Sequence, residues 1–274
     1  MRFLRQAFDF YLDASIHVAL AVVTLYFSTL QIIETSTNWQ LASFLFFGTI
    51  VCYNFIKYGV EAEKYLIVSN PYHKLIQGFS FLAFAFSAYF FLQLGYNLWF
   101  AIMTLLGVSV LYAIPLLPKA KNLRSLAGLK TFLVALVWMG CTVVLPLVDN
   151  DIKVTWDIGI LLLQRFLLVL ILLLPFEIRD LKFDKPELKT MPQRIGVEKT
   201  KTVGYVLTVF YAVLLFFKDS ISIKIIVIDL LLSLVLLVVL KKTTKEQTNY
   251  FSSFWVEGIP LLYLGILVFT EKLF

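Results

Sequence analysis

Residues 158–177 read IGILLLQRFLLVLILLLPFE, with Gln164, Arg165 and the closing Glu177 as the only polar side chains. A helix rises 1.5 Å per residue, so about 20 apolar residues cross a hydrocarbon layer of roughly 30 Å. The run is too long for a barrel strand and lacks the alternation of one. It reads as a membrane-spanning helix. Laid along the whole chain, the same ruler finds nine such segments, at about 14–33, 41–58, 75–94, 97–117, 126–148, 158–177, 202–217, 221–240 and 251–270. The seventh is short and carries Gly204. The first follows Arg2 and Arg5, but it is too long for a signal-peptide core and no small-residue cleavage site follows Ile33.

Composition agrees. Of 274 residues, 60% are hydrophobic and only 15% charged, against about 25% charged in soluble domains. The 26 Phe, 13 Tyr and 5 Trp and a mean hydropathy of +0.85 exceed what a soluble fold can hide. Disorder, a disulfide scaffold, a collagen and a nucleic-acid-binding module are excluded. Cys52 and Cys141 both lie inside apolar segments, as packing thiols do. The expected fold is an all-α polytopic membrane protein, a bundle of nine transmembrane helices formed by one domain over residues 1–274.

Lys and Arg accumulate on cytoplasmic loops. With the N-terminus cytoplasmic and nine crossings, every basic residue falls on the inner side except Arg165, Lys153, Lys218, Lys224 and Lys272. A wrong number of crossings scrambles that asymmetry. The expectation is therefore a cytoplasmic N-terminus and an external C-terminus, and the net charge of +6 reports topology first.

The longest inner loop, EIRDLKFDKPELKTMPQRIGVEKTK, runs from Glu177 to Lys201. Glu177, Asp180 and Asp184 are spaced i, i+3, i+7, which places all three on one face if the helix continues past Pro175. Like charges so placed repel unless a cation lies between them, and hard oxygens suit Mg2+, which takes one or two carboxylates together with phosphate oxygens. Arg179, Lys182, Lys185, Lys189 and Arg194 offer phosphate contacts in the same loop. On spacing alone, an ordinary charged loop beside the membrane explains these residues equally well.

The stretch EIRDLKFDKPELKTMPQRIG resembles the second aspartate-rich motif of the UbiA-type intramembrane prenyltransferases, D-x-R-D-x-x-x-D followed by T-L-P-x-x-x-G. Arg179, Asp180 and Asp184 match, Glu177 stands for the first aspartate, Thr190-Met191-Pro192 for the T-L-P and Gly196 for the closing glycine. Tyr112 to Pro115 with Lys119 is similar to the family's Y-x-x-P…K. The first motif, N-D-x-x-D-x-x-x-D, keeps Asn54 but has Phe55, Tyr58 and Ala62 at its aspartate positions, with Glu61 and Glu63 nearby.

The resemblance implies Mg2+-dependent transfer of a prenyl group from an isoprenyl diphosphate to a hydrophobic acceptor, aromatic or quinone-precursor in kind, within the membrane. It implies Asp180, Asp184 and Glu177 as the catalytic metal-holding carboxylates, with Asn54, Glu61 and Glu63 as the weaker half of the site. Lys119, Arg179, Lys189 and Lys57 are the implied diphosphate contacts, and Tyr112, Tyr58 and His17 the implied pocket residues. A non-catalytic isoprenoid-binding member and a diphosphate-ionising cyclase without acceptor are the other readings.

Four more polar residues fall in or beside the spans. His17 is expected to be hydrogen-bonded within the bundle, or else to line the acceptor pocket. Arg165 is expected to snorkel to the outer interface. Asp229 needs a partner at its depth, and Glu257 is placed to border the cavity of the motif loops. No Walker loop, nucleophile elbow, HExxH or cysteine-rich site is present.

Overall fold

The computed structural model describes residues 2–60, 70–113, 129–184, 188–248 and 250–273. All regular structure among them is helical, and it forms an integral multi-pass membrane protein. In chain order the helices are α1 (Arg2–Asp13), α2 (Ile16–Ile32), α3 (Trp39–Asn54), α4 (Pro71–Leu92), α5 (Tyr96–Ala113), α6 (Leu129–Met139), α7 (Leu145–Asp149) and α8 (Trp156–Asp180). They continue with α9 (Met191–Ile195), α10 (Val197–Leu214), α11 (Ile223–Lys242) and α12 (Ile259–Leu273). Wide π-helical turns extend α3 through Phe55–Val60, join α6 to α7 through Gly140–Val144, and lead into α12 through Phe251–Val256.

Among the described residues, seven helices are long and apolar enough to cross a membrane, or eight if α1 and α2, bent by 59°, count as one broken span. The seventh expected span is longer than its apolar core suggests, running from Val197 to Phe217. Gly204 within it is a contact point, because a Cβ there would lie 2.9 Å from Leu174 and from Leu240. Small residues of this kind let helices approach closely where lipid removes the hydrophobic drive to associate. The apolar helix that falls short is Tyr96–Val110.

Helix starts follow local chemistry. Asn38 Oδ1 accepts from Leu41 N at 3.1 Å and Asn70 Oδ1 from Tyr72 N at 2.9 Å, each satisfying a donor of the first turn. Pro71 follows Asn70 in the first turn of α4, where its missing N–H costs nothing. Pro175 does not end α8, which runs on to Asp180.

Sequence neighbours pack side by side around the bundle, and α12 closes against α2. The most buried span, α8, packs on α6, α10 and α11. Leu168, Ile171 and Leu174 of α8 meet Tyr26, Leu232 and Leu236 in the interior, whereas Phe84, Phe100, Phe210 and Leu234 point outward, as lipid-facing residues do.

Arg165 corrects the expectation of snorkelling. It is 3% exposed and donates to the Leu25 carbonyl at 3.0 Å and to Thr29 Oγ1 at 3.1 Å, tying α8 to α2. Nearby, Asp229 accepts from Tyr211 and Tyr263 at 3.2 Å each and from Gln164 at 3.3 Å. The carboxylate joins four helices, because every donor comes from a different one. Lys218, at the end of that same bundle quarter, has its pKa lowered by burial.

Candidate functional site

The polar residues gather where α1, the ends of α3 and α8, and the turn before α12 converge. Asp180, the last residue of α8, is gripped by its neighbour, with Arg179 Nε 2.7 Å from Oδ1 and Nη2 3.2 Å from Oδ2. The guanidinium also lies over the Phe176 ring, 5.1 Å from its centroid. One turn earlier, Glu177 is buried and accepts a short hydrogen bond from Thr131 Oγ1 of α6. The chain then tightens, with Asp184 N donating to the Asp180 carbonyl at 2.8 Å.

The expected face of three carboxylates therefore forms only in part. The α-helix ends at Asp180, Glu177 turns toward α6, and Asp184 lies one turn past the helix end. Among the described residues no three His, Cys, Asp or Glu side chains cluster closely enough to cage a metal. Asp180, both of whose oxygens Arg179 holds, and Asp184 one turn on carry hard carboxylate oxygens of the kind that suits a cation such as Mg2+, which draws its other oxygens from phosphate and water.

The T-x-P…G segment has a structural account. Thr190 N donates to Gln193 Oε1 at 3.0 Å and Gln193 Nε2 donates to the Asp184 carbonyl at 3.2 Å, folding the loop back beneath the acidic turn. Gly196 has φ +83°, a conformation that suits glycine, and links α9 to α10. Lys189 is exposed at the loop surface, with a left-handed φ of 46°.

Asn54, at the end of α3, is hydrogen-bonded on both sides of its amide. It is 3% exposed, accepts from Ser15 Oγ at 2.7 Å, and donates to the Ala14 carbonyl at 3.1 Å and to Ser80 Oγ at 2.9 Å. The amide is engaged in holding the α1–α2 bend against α3 and α4. Lys57 and Tyr58 follow on the π-helical turn. Lys57 Nζ is 3.6 Å from Asp13 Oδ1, and Tyr58 donates to the Asp13 carbonyl at 3.0 Å.

His17 does not line an open pocket. Tyr11 donates to its Nδ1 at 2.6 Å, so its Nε2 donates to the Phe254 carbonyl at 3.0 Å, and both ring nitrogens are engaged. Glu61, Glu63 and Lys119, and the side chain of Tyr112 on the last turn of α5, lie outside the described residues.

Helix α1 contributes residues that the motif comparison passed over. Asp13 also accepts from Tyr72 at 2.8 Å, and Asp9 accepts from Tyr250 at 2.6 Å. That bond raises the Tyr250 pKa, since the carboxylate opposes loss of the phenolic proton. An open groove of about 610 Å³ runs alongside, lined by Gln6, Asp9, Phe10, Asp13, Tyr72 and Leu75. The signal was present in RFLRQAFDFYLD, where Asp9 and Asp13 stand four apart on an amphipathic helix.

The fold is that of a UbiA homologue from Archaeoglobus fulgidus. Its Cd2+-bound structure superposes with a TM-score of 0.63 at 13% identity, covering 93% of this chain and 97% of the other. The structure of the homologue bound to DMAPP and Mg2+ gives 0.62 at 13% identity, covering 96% of each chain. A structure described for digeranylgeranylglyceryl phosphate synthase gives 0.54 at 14% identity, covering 93% of this chain and 91% of that one. No family model and no curated protein sequence matches the chain.

Proposed function

We propose that the protein is a Mg2+-dependent membrane prenyltransferase of the UbiA type, moving a prenyl group from an isoprenyl diphosphate to a lipid-soluble acceptor, aromatic or quinone-precursor in kind. The observation that carries the reading is a full-length fold shared with a protein seen holding DMAPP and Mg2+, joined to a mouth of carboxylates and cations at the ends of α3 and α8. Residues 1–274 act as one domain in this reading. The loop charges support nine crossings with the N-terminus in the cytoplasm and the C-terminus outside, so the mouth opens on the cytoplasmic side.

Arg179 offers the planar fork suited to two phosphate oxygens, and Lys57 adds a point charge from the α3 side. Lys189 lies on the loop after α8, and Lys119 is the further diphosphate contact that the sequence motif implies. Asp180 and Asp184 would hold the metal, with Glu177, bound to Thr131, stiffening the helix end behind them. Bound Mg2+ would neutralise the charge that builds on the diphosphate as the allylic C–O bond opens. The aromatic side chains of the bundle would give the prenyl tail apolar surroundings and a developing allylic cation electron-rich faces.

A carrier that binds the diphosphate without turnover is the second reading. It is favoured by Arg179 closing on Asp180 and by the lack of a carboxylate at Phe55 and Tyr58. Pyrophosphate release by the purified chain from a series of prenyl diphosphates, with Mg2+ and with or without acceptors, separates them. Acceptor-dependent release supports the transferase, release without an acceptor indicates a cyclase or hydrolase, and binding without release indicates the carrier.

A further inference from the structure

Helix α1 has two unlike flanks. On one, Phe8 packs against Tyr250 and Phe254, with ring centroids 5.3 and 5.2 Å away, which fixes α1 to the turn before α12. On the other, Gln6, Asp9, Phe10 and Asp13 recur at i, i+3, i+4 and i+7 and so share one face, which lines the groove together with Tyr72 and Leu75 of α4. The helices do not close on each other here. The groove between them, about 610 Å³, has the size of a site for a small organic molecule, roughly 300–1,000 Å³.

Its walls divide by chemistry. Ala7, Phe10 and Leu75 give an apolar floor, and the Phe10 ring meets Tyr72 edge-on at 6.4 Å. Asp9 and Asp13 are the strong acceptors. Each already accepts from a phenol, Asp9 from Tyr250 at 2.6 Å and Asp13 from Tyr72 at 2.8 Å. A carboxylate offers about four lone-pair sites, so each has capacity for a further donor. Each is also balanced by a cation, with Arg5 Nε 4.0 Å from Asp9 and Lys57 Nζ 3.6 Å from Asp13. An anionic head in this groove meets both carboxylates, and a cationic head competes with Arg5 and Lys57. An uncharged hydroxyl disturbs neither balance. Lys57 also joins the groove to the mouth, because the cation proposed above for the diphosphate is the one that Asp13 holds.

We propose that the α1–α4 groove is the acceptor subsite and takes an uncharged, hydroxyl-bearing aromatic head, a phenol rather than a benzoate. That the bound phenol is an acceptor rests on the prenyl-transfer reading above, whereas its binding rests on the groove.

The test uses the full chain in lipid nanodiscs and a matched pair of probes, para-octylphenol and para-octylbenzoate, which share a tail and differ in the head. In Leu75→Cys, the alkylation rate of a thiol in the groove reports occupancy. The phenol should slow it by about 10-fold at saturation and the benzoate far less, since like charges oppose each other. Equal protection by the two probes, or none by the phenol, overturns the proposal. Ala7→Cys, on the facing wall, gives the same reading if Leu75→Cys does not fold. In a chain that also carries Asp9→Asn and Asp13→Asn the benzoate should protect as the phenol does, and continued rejection of it contradicts the role of the carboxylates. With DMAPP as donor, Leu75→Trp should raise the KM for the phenol by about 10-fold or more and leave the KM for the diphosphate nearly unchanged. Protection in a chain that releases no pyrophosphate with either probe overturns the transferase reading, whereas phenol-dependent release without protection overturns the groove alone.

Discussion

Ser15 and Asn54 are joined by a 2.7 Å hydrogen bond between residues 39 apart in sequence, and both are buried. Ser15 has φ +60°, left-handed for a residue that is not glycine, at the hinge where α1 turns 59° away from α2. Asn54 holds that hinge from α3, and through Ser80 it holds α4 as well. The bend lays Asp9 and Asp13 across the mouth.

Replacing Asn54 with Ala should leave the Ala14 carbonyl and the Ser15 and Ser80 hydroxyls without their partner. The expected cost is about 1–3 kcal/mol of stability, read as a lower unfolding midpoint in detergent. Diphosphate-dependent metal binding per folded molecule should change far less. A metal ligand gives the opposite pattern, with metal affinity lost and stability kept.

Arg165 and Asp229 line one small buried cavity, so their substitutions should not add. Arg165→Met leaves the Leu25 carbonyl and the Thr29 hydroxyl without their donor, and Asp229→Leu leaves the Tyr211 and Tyr263 hydroxyls and the Gln164 amide without their acceptor, so each should cost about 1–3 kcal/mol. The double variant should cost clearly less than the sum of the two. Additive losses in a thermodynamic cycle contradict the coupling.

Gly196 is held at φ +83° between α9 and α10. Gly196→Ala should lose about 1–2 kcal/mol and displace the loop that Gln193 pins to Asp184. Turnover should fall with a larger rise in KM for the diphosphate than Gly159→Ala produces, since a Cβ at Gly159 meets open space at ordinary φ.

Topology is checked with reporters. A fusion after Lys201 should read cytoplasmic and one at Phe274 external. A cytoplasmic reading at Phe274 means that the number of crossings is not nine.

Much of this arrangement was legible in the sequence because membrane spans are long runs that need no tertiary context. The seven long helices fall where unbroken apolar stretches stand, and the second acidic motif sits on the predicted end of α8. The side-chain roles were less legible. Arg165 reads as a snorkelling cation until α2 supplies the Leu25 and Thr29 oxygens, acceptors 140 and 136 residues away. Asn54 reads as a ligand because its motif position is kept, and the partners it has here come from the hinge and from α4. Asp13 and Tyr72 carry no spacing signal relative to each other, being 59 residues apart.

Asp180 carries the central claim, since the reading of this fold as a prenyl diphosphate enzyme depends on its carboxylate. The direct measurement is Mg2+-dependent pyrophosphate release from prenyl diphosphates by purified wild type and Asp180→Ala, with diphosphate binding followed in parallel and folding confirmed by thermal melt. The account predicts release by wild type that is lost on chelating Mg2+, and loss of about 100-fold or more in the variant, because the metal stabilises charge that develops mainly in the transition state. A folded Asp180→Ala protein that keeps both turnover and Mg2+-dependent diphosphate binding contradicts it.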